Sequence, residues 1–154
     1  MARRPGLPAA ALAMVVALAC PVEAVAQQPE PTGEEAAVRA VVQGFKDALA
    51  AGDSTAALGY LHRDLVVYEA GRAETLAEYR AGHLAADMEF AAAVETAVLE
   101  QGVIVRPEMA LWVSESSSTG EFRGRAIDAH GVETIVLLPT ATGWKILHVH
   151  WSNR

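Results

Sequence analysis

Apolar residues recur at helical spacing early in the chain, and farther along they give way to the alternation of strands. Residues 34–51 carry Val38, Val41, Val42, Phe45 and Leu49 on one face. Glu34 and Glu35 fall in the first turn and Gly52 lies just past the end, which predicts a long amphipathic helix. Asp53 can cap a second, short helix over residues 53–61, with Ala57, Leu58 and Leu61 as its apolar side. Residues 65–69 read as a first strand ended by Gly71. Residues 75–94 are helical again and bend near Gly82, because glycine is costly inside a helix. Strands follow over 95–106, 110–119, 132–138 and 144–152, with turns expected at Gly102, Pro107, 120–131 and Thr142-Gly143. Helices first and a meander of long antiparallel strands afterwards predict an α+β fold.

The chain has 154 residues, 52% of them hydrophobic, which is enough for one domain with a real core. Part of that share precedes the first helix. Arg3 and Arg4 are followed by an uncharged apolar run over residues 9–19 and by Ala24-Val25-Ala26, the pattern of a secretory signal cleaved before Gln27. The run is too short for a stable membrane anchor. Residues 27–33, with Pro29 and Pro31, read as a flexible leader to a domain over 34–154. The rival reading is lipoprotein processing at Cys20, but Ala17 stands where a large aliphatic residue is expected. The expected location is periplasmic or secreted.

Cys20 is the only cysteine, so cleavage after Ala26 leaves no disulfide and no thiol nucleophile or ligand. Arg3, Arg4 and Glu23 give the signal a net charge of +1, so its removal takes the formal charge from −7 to −8. With no basic cluster, that balance argues against nucleic acid and anionic membrane surfaces as partners.

The terminal strand holds the most chemistry. A period of two places Trp144, Ile146, His148, His150 and Ser152 on one face, with the two histidines about 7 Å apart. They either line a pocket or bond neighbouring strands. His83 and Asp87 are four apart on the third helix, where an imidazole and a carboxylate can meet each other or a common ligand. Tyr68 and Glu69 must point to opposite faces, so only one can enter a pocket. Glu115 shares a strand face with Ser117. Glu133 lies in an apolar strand and is expected to face solvent, since an unpaired buried carboxylate is expensive. His62 and His130 read as surface residues, and Trp112 and Trp151 as core or interface.

The order helix, Ala51-Gly52-Asp53, short helix, strand, helix, then long strands closing on Gly143-Trp144-Lys145-Ile146 and a histidine resembles the nuclear transport factor 2-like superfamily. More narrowly it resembles SnoaL-like domains of the DUF4440 type. The resemblance covers residues 34–154 and implies a cone: a curved antiparallel sheet wrapped around the first helix, a pocket between sheet and helices, and a homodimer. Three functions compete on the same residues. The first is cofactor-free acid/base chemistry on a small apolar molecule, with His148, His150, His83 and Asp87 as catalytic candidates and Tyr68, Glu69, Glu115 and Glu133 as ligand-binding ones. The first helix lacks the tyrosine oxyanion donor of ketosteroid isomerases. The epoxide hydrolase pattern of acid, arginine, acid is not recognisable around Arg123, Arg125 and Asp128, and the residue types are nearer to scytalone dehydratase. The second is ligand capture without turnover. The third is a transition-metal site built from His148, His150 and His83 with Asp87 or Glu69; no compact metal-ligand motif is present.

Overall fold

The computed structural model describes residues 33–154; the expected signal segment and nearly all of the leader lie outside the described residues. Helix α1 (Gly33–Ala50) buries Val38, Val42, Phe45, Ala48 and Leu49, the stripe that its periodicity predicts. Asp53 caps α2 (Ser54–Tyr60) by accepting from the Ala56 amide at 2.9 Å. Gly44 gives α2 its close approach: a Cβ there would lie 2.6 Å from Cζ of Tyr60.

Strand β1 (Leu61–Glu69) begins earlier than its apolar run suggests. It turns through Ala70 and Gly71, both at positive φ, into an unforeseen short strand β2 (Arg72–Thr75). Thr75 and Glu78 then form a capping box that starts α3 (Leu76–Glu78). The bend expected at Gly82 is a π-helical turn, Tyr79–His83, which runs on into α4 (Leu84–Ala93).

Four long strands complete the chain: β3 (Val94–Arg106), β4 (Met109–Phe122), β5 (Arg125–Thr140) and β6 (Gly143–Asn153). Two expected turns are corrected. Gly102 sits within β3 opposite Val113. The stretch 120–131 is mostly ladder, and the β4–β5 reversal takes only Arg123 and Gly124, at φ 50° and 75°. His130 is therefore a strand residue rather than a turn residue.

The six strands lie in the order β2-β1-β6-β5-β4-β3. The sheet is mixed, not wholly antiparallel, because β1 runs parallel to β6. Its inner face presents Leu65, Val67, Ala110, Trp112, Ile135, Leu137, Ile146 and Val149 to the helices, forming one core with the α1 stripe, Ala57 and Tyr79. The outer face shows Tyr68, Val113 and Val132, each 42–48% exposed.

One irregularity in β6 governs which side chains reach the interior. Leu137 pairs with Ile146 and Val136 with His148, so Leu147 has no partner opposite it and forms a β-bulge. An extra residue flips every side chain beyond it to the other face. Trp144 and Ile146 point inward, but after the bulge Val149 and Trp151 take the inner face, and His148, His150 and Ser152 take the outer one.

Candidate functional site

The inward ends of β1, the π turn and α4 meet at His83. Alternation along β1 buries Leu65 and Val67 and carries Glu69 onto the same face. The π turn and the first turn of α4 stack Tyr79, His83 and Asp87 along one helical face. His83 Nε2 lies 2.8 Å from Oε2 of Glu69 and 3.3 Å from Oδ1 of Asp87. His83 Nδ1 lies 2.8 Å from Oε2 of Glu74, on β2. The Tyr79 hydroxyl donates to Asp87 Oδ2 at 2.7 Å, fixing the carboxylate so that its other oxygen faces the imidazole. The His83 ring also meets Tyr79 edge-on at 5.5 Å between centroids, and Trp151 at 6.5 Å.

This centre forms one wall of a cleft of about 650 Å³ between the β1–β2 hairpin and the π turn, lined by Val67, Glu69, Arg72, Glu74, Ala81 and His83. The His83 side chain keeps 22% of its surface exposed, so it is held by protein on most sides yet open to the cleft.

Burial dominates the electrostatics. It lifts the Asp87 carboxyl to about 6, against the Tyr79 hydrogen bond and the His83 charge, which both act to lower it. Burial also opposes charge on His83, but the carboxylates of Asp87, Glu74 and Glu69 outweigh it and hold the imidazole above its ordinary value. Tyr79 is pushed up by burial first and then by Asp87, so its phenol keeps its proton.

A second polar centre lies deeper on the inner face. Glu133 is only 10% exposed and corrects the expectation that it faces solvent. Its Oε1 accepts from Lys46 Nζ at 2.7 Å, Trp112 Nε1 at 2.9 Å and Ser114 Oγ at 3.1 Å, and its Oε2 from Trp151 Nε1 at 2.8 Å. Four donors are enough to keep a carboxylate in the interior. Trp151 thereby links the two centres, since its ring packs on His83 while its indole N–H is held by Glu133.

The structure thus brings together His83, Asp87 and Glu69, with Glu133 one residue removed. It separates the others. Of the two alternatives for His148 and His150, a place on the pocket wall is overturned by the bulge at Leu147, and bonding to a neighbouring strand is what His148 does. His148 Nδ1 lies 3.0 Å from the Val66 carbonyl, and its ring stands edge-on to Tyr68 at 5.2 Å. His150 pairs across to Tyr68 and Thr134 and is exposed. Tyr68 is on the outer face, leaving Glu69 as the member of that pair turned inward. Glu115 is also outside, 3.5 Å from His130. Tyr79 and Glu74 escaped the sequence reading. The spacing of Tyr79 four before His83 and eight before Asp87 could have revealed the first, whereas nothing around Glu74 signals a site.

Comparison with known proteins agrees with this architecture. A family model described as a SnoaL-like domain matches residues 38–153. A candidate ketosteroid isomerase from Shewanella frigidimarina is 35% identical, with TM-score 0.73, 78% of this chain and 98% of that one being covered. A candidate dehydratase of the NTF2-like family from Streptomyces avermitilis is 16% identical at TM-score 0.68, covering 80% of this chain and 98% of its own. The CaMKII hub of S. rosetta is 21% identical at TM-score 0.69, covering 80% and 99%. The last two likenesses speak to the fold alone. No curated protein matches the chain. With a family model spanning nearly all of the described residues, and a cone of helices on a curved six-stranded sheet behind it, the chain belongs to the SnoaL-like domain family of the nuclear transport factor 2-like superfamily.

Proposed function

We propose that this protein binds a small, largely apolar molecule in the cleft and moves a proton on it, with Asp87 as the base and His83 as the hydrogen-bond donor to the charge that develops. The observation that carries this reading is the placement of one imidazole between Glu69 and Asp87 on the wall of an open cleft. A carboxylate raised toward neutrality suits proton abstraction next to a carbonyl, and an imidazole held in its charged form suits stabilising the resulting enolate. The donor role for which the first helix has no tyrosine is taken by His83. The 35% identical Shewanella protein, a candidate ketosteroid isomerase, supports the same reaction class.

The test uses a β,γ-unsaturated ketone and follows ultraviolet absorbance of the conjugated product. Asp87→Asn is expected to lower kcat by roughly 10²- to 10⁴-fold. The His148→Ala/His150→Ala double variant should match the parent, because both rings are on the outer face. Conversion that survives Asp87→Asn would sink the proposal. Binding of the ketone without conversion would reduce it to ligand capture.

We also propose that the protein is exported and pairs with a second copy through the outer sheet face. The charged start, apolar run and Ala24-Val25-Ala26 support export, and the exposed Tyr68, Val113 and Val132 support pairing. Native mass spectrometry of protein recovered from the periplasm should show a chain beginning at Gln27 and a particle of two chains. A start at Met1, or a single-chain particle, would refute the corresponding half.

A further inference from the structure

We propose that Glu69, His83 and Asp87 form a binding site for a divalent transition-metal ion of the zinc class. This inference stands on geometry and holds whether or not the cleft turns a substrate over. The three residues come from three separate elements, β1, the π turn and α4, yet one donor atom from each lies within 4.8 Å of the other two. A cation bound at about 2.0–2.2 Å sets neighbouring donors roughly 3 to 3.5 Å apart. The His83 Nε2 separation of 3.3 Å from Asp87 falls in that range, and the 2.8 Å from Glu69 lies just short of it. The Glu69 and Asp87 oxygens stand within the same 4.8 Å limit of each other.

The surroundings match what such a site requires of its supporting residues. A metal-bound histidine is oriented by a hydrogen bond from its other ring nitrogen to a carboxylate or carbonyl. Glu74 stands 2.8 Å from His83 Nδ1, which directs the Nε2 lone pair toward Glu69 and Asp87. A metal-bound carboxylate is in turn hydrogen-bonded, and Tyr79 donates to Asp87 Oδ2 at 2.7 Å. The charge count points the same way, for three carboxylates surround one imidazole, and a dication would offset the two that bind it.

One imidazole nitrogen and two carboxylate oxygens suit zinc and its borderline neighbours; a site for a soft ion would call for thiolate. Three protein ligands, of which Glu69 and His83 line the cleft, leave a further position for water or for a polar group of a ligand. Metal and proton then compete for the same Nε2 and Oδ1 atoms. The loaded protein therefore withholds Asp87 and His83 from proton transfer.

The experiment is calorimetric titration of zinc into the full protein, purified without a metal-affinity tag, treated with chelator and dialysed. One equivalent should bind per chain. His83→Ala and Glu69→Gln should each weaken binding by tenfold or more, and Glu74→Gln by roughly 10- to 100-fold through the lost orienting bond. The His148→Ala/His150→Ala variant should bind as the parent does. Circular dichroism shows which variants fold; if His83→Ala does not, Glu69→Gln decides. No binding by the parent overturns the inference, as does undiminished binding by folded Glu69→Gln or loss of binding in the outer-face double variant. None of these readouts depends on turnover, so the metal site and the proton-transfer reading fail separately.

Discussion

Glu133→Leu should destabilise the protein by about 2–4 kcal/mol, as expected when a buried carboxylate is removed and its interior donors are left in place. The cost falls on four donors at once. Trp151 would keep its indole N–H against an apolar side chain, at about 1–3 kcal/mol if left unpaired, and Trp112 and Ser114 would keep only the 3.3 Å bond between them. Lys46 contributes less, since its side chain is 32% exposed and water can reach the ammonium. Urea unfolding followed by tryptophan fluorescence measures this directly, because two of the three tryptophans are bonded to Glu133. The Lys46→Met/Glu133→Leu pair should recover part of the loss, which separates the ion pair from the indole bonds. A cost below about 1 kcal/mol for Glu133→Leu would mean that the carboxylate organises nothing.

The second large effect is on pH-dependent stability in the presence of a chelator. Asp87 has a folded pKa of about 6 against an ordinary 3.8, so the native state binds its proton more tightly than the unfolded chain does. Stability from this group is complete below pH 3.8 and is lost as pH rises to about 6. The loss amounts to roughly 3 kcal/mol. His83 acts in the same direction at higher pH, because its raised pKa contributes stability below its ordinary 6.5 that disappears as pH climbs through the folded value. Urea midpoints should therefore fall from pH 4 toward neutrality and beyond, once allowance is made for the remaining acids through a matched Asp87→Asn profile. That variant should lose the lower limb and shrink the upper one, because the Asp87 charge helps to hold His83 up. A parent profile parallel to that of Asp87→Asn between pH 4 and 6 would show that Asp87 is not held in the protonated form.

How much of this was legible in the sequence depends on how local the determinant is. Helix α1 was readable because five apolar residues at regular helical spacing leave only one face to bury, and the structure buries Val38, Val42, Phe45 and Leu49. His83 and Asp87 were readable for the same reason. Glu69 was readable as one of two alternatives, since strand alternation separates it from Tyr68 but does not say which side is inside. Glu74 was not readable, because β2 owes its position to the turn at Ala70 and Gly71 and not to any pattern of its own.

The glycines misled in a different way. Gly120 and Gly131 suggested a long turn, but they are small because something lies close. A Cβ on Gly120 would stand 3.0 Å from the Ala93 carbonyl oxygen, and one on Gly131 would stand 3.2 Å from Ser116 Oγ. Glycine inside a strand often marks such an approach. Glu133 misled because the cost of an unpaired carboxylate was weighed without its donors. Lys46 is 87 positions away, and only the folded chain supplies it.

The bulge at Leu147 puts the composition of the sheet's inner face behind His83 under the control of chain length rather than side-chain identity. Every residue of β6 after it is assigned to the interior or exterior by a single extra peptide unit. In genetic terms, loss of one codon exchanges the pair Val149 and Trp151 for the pair His148 and His150. Two different inner-face chemistries are thus written into the same strand, and a relative carrying one residue fewer here would present imidazoles where this chain presents an indole.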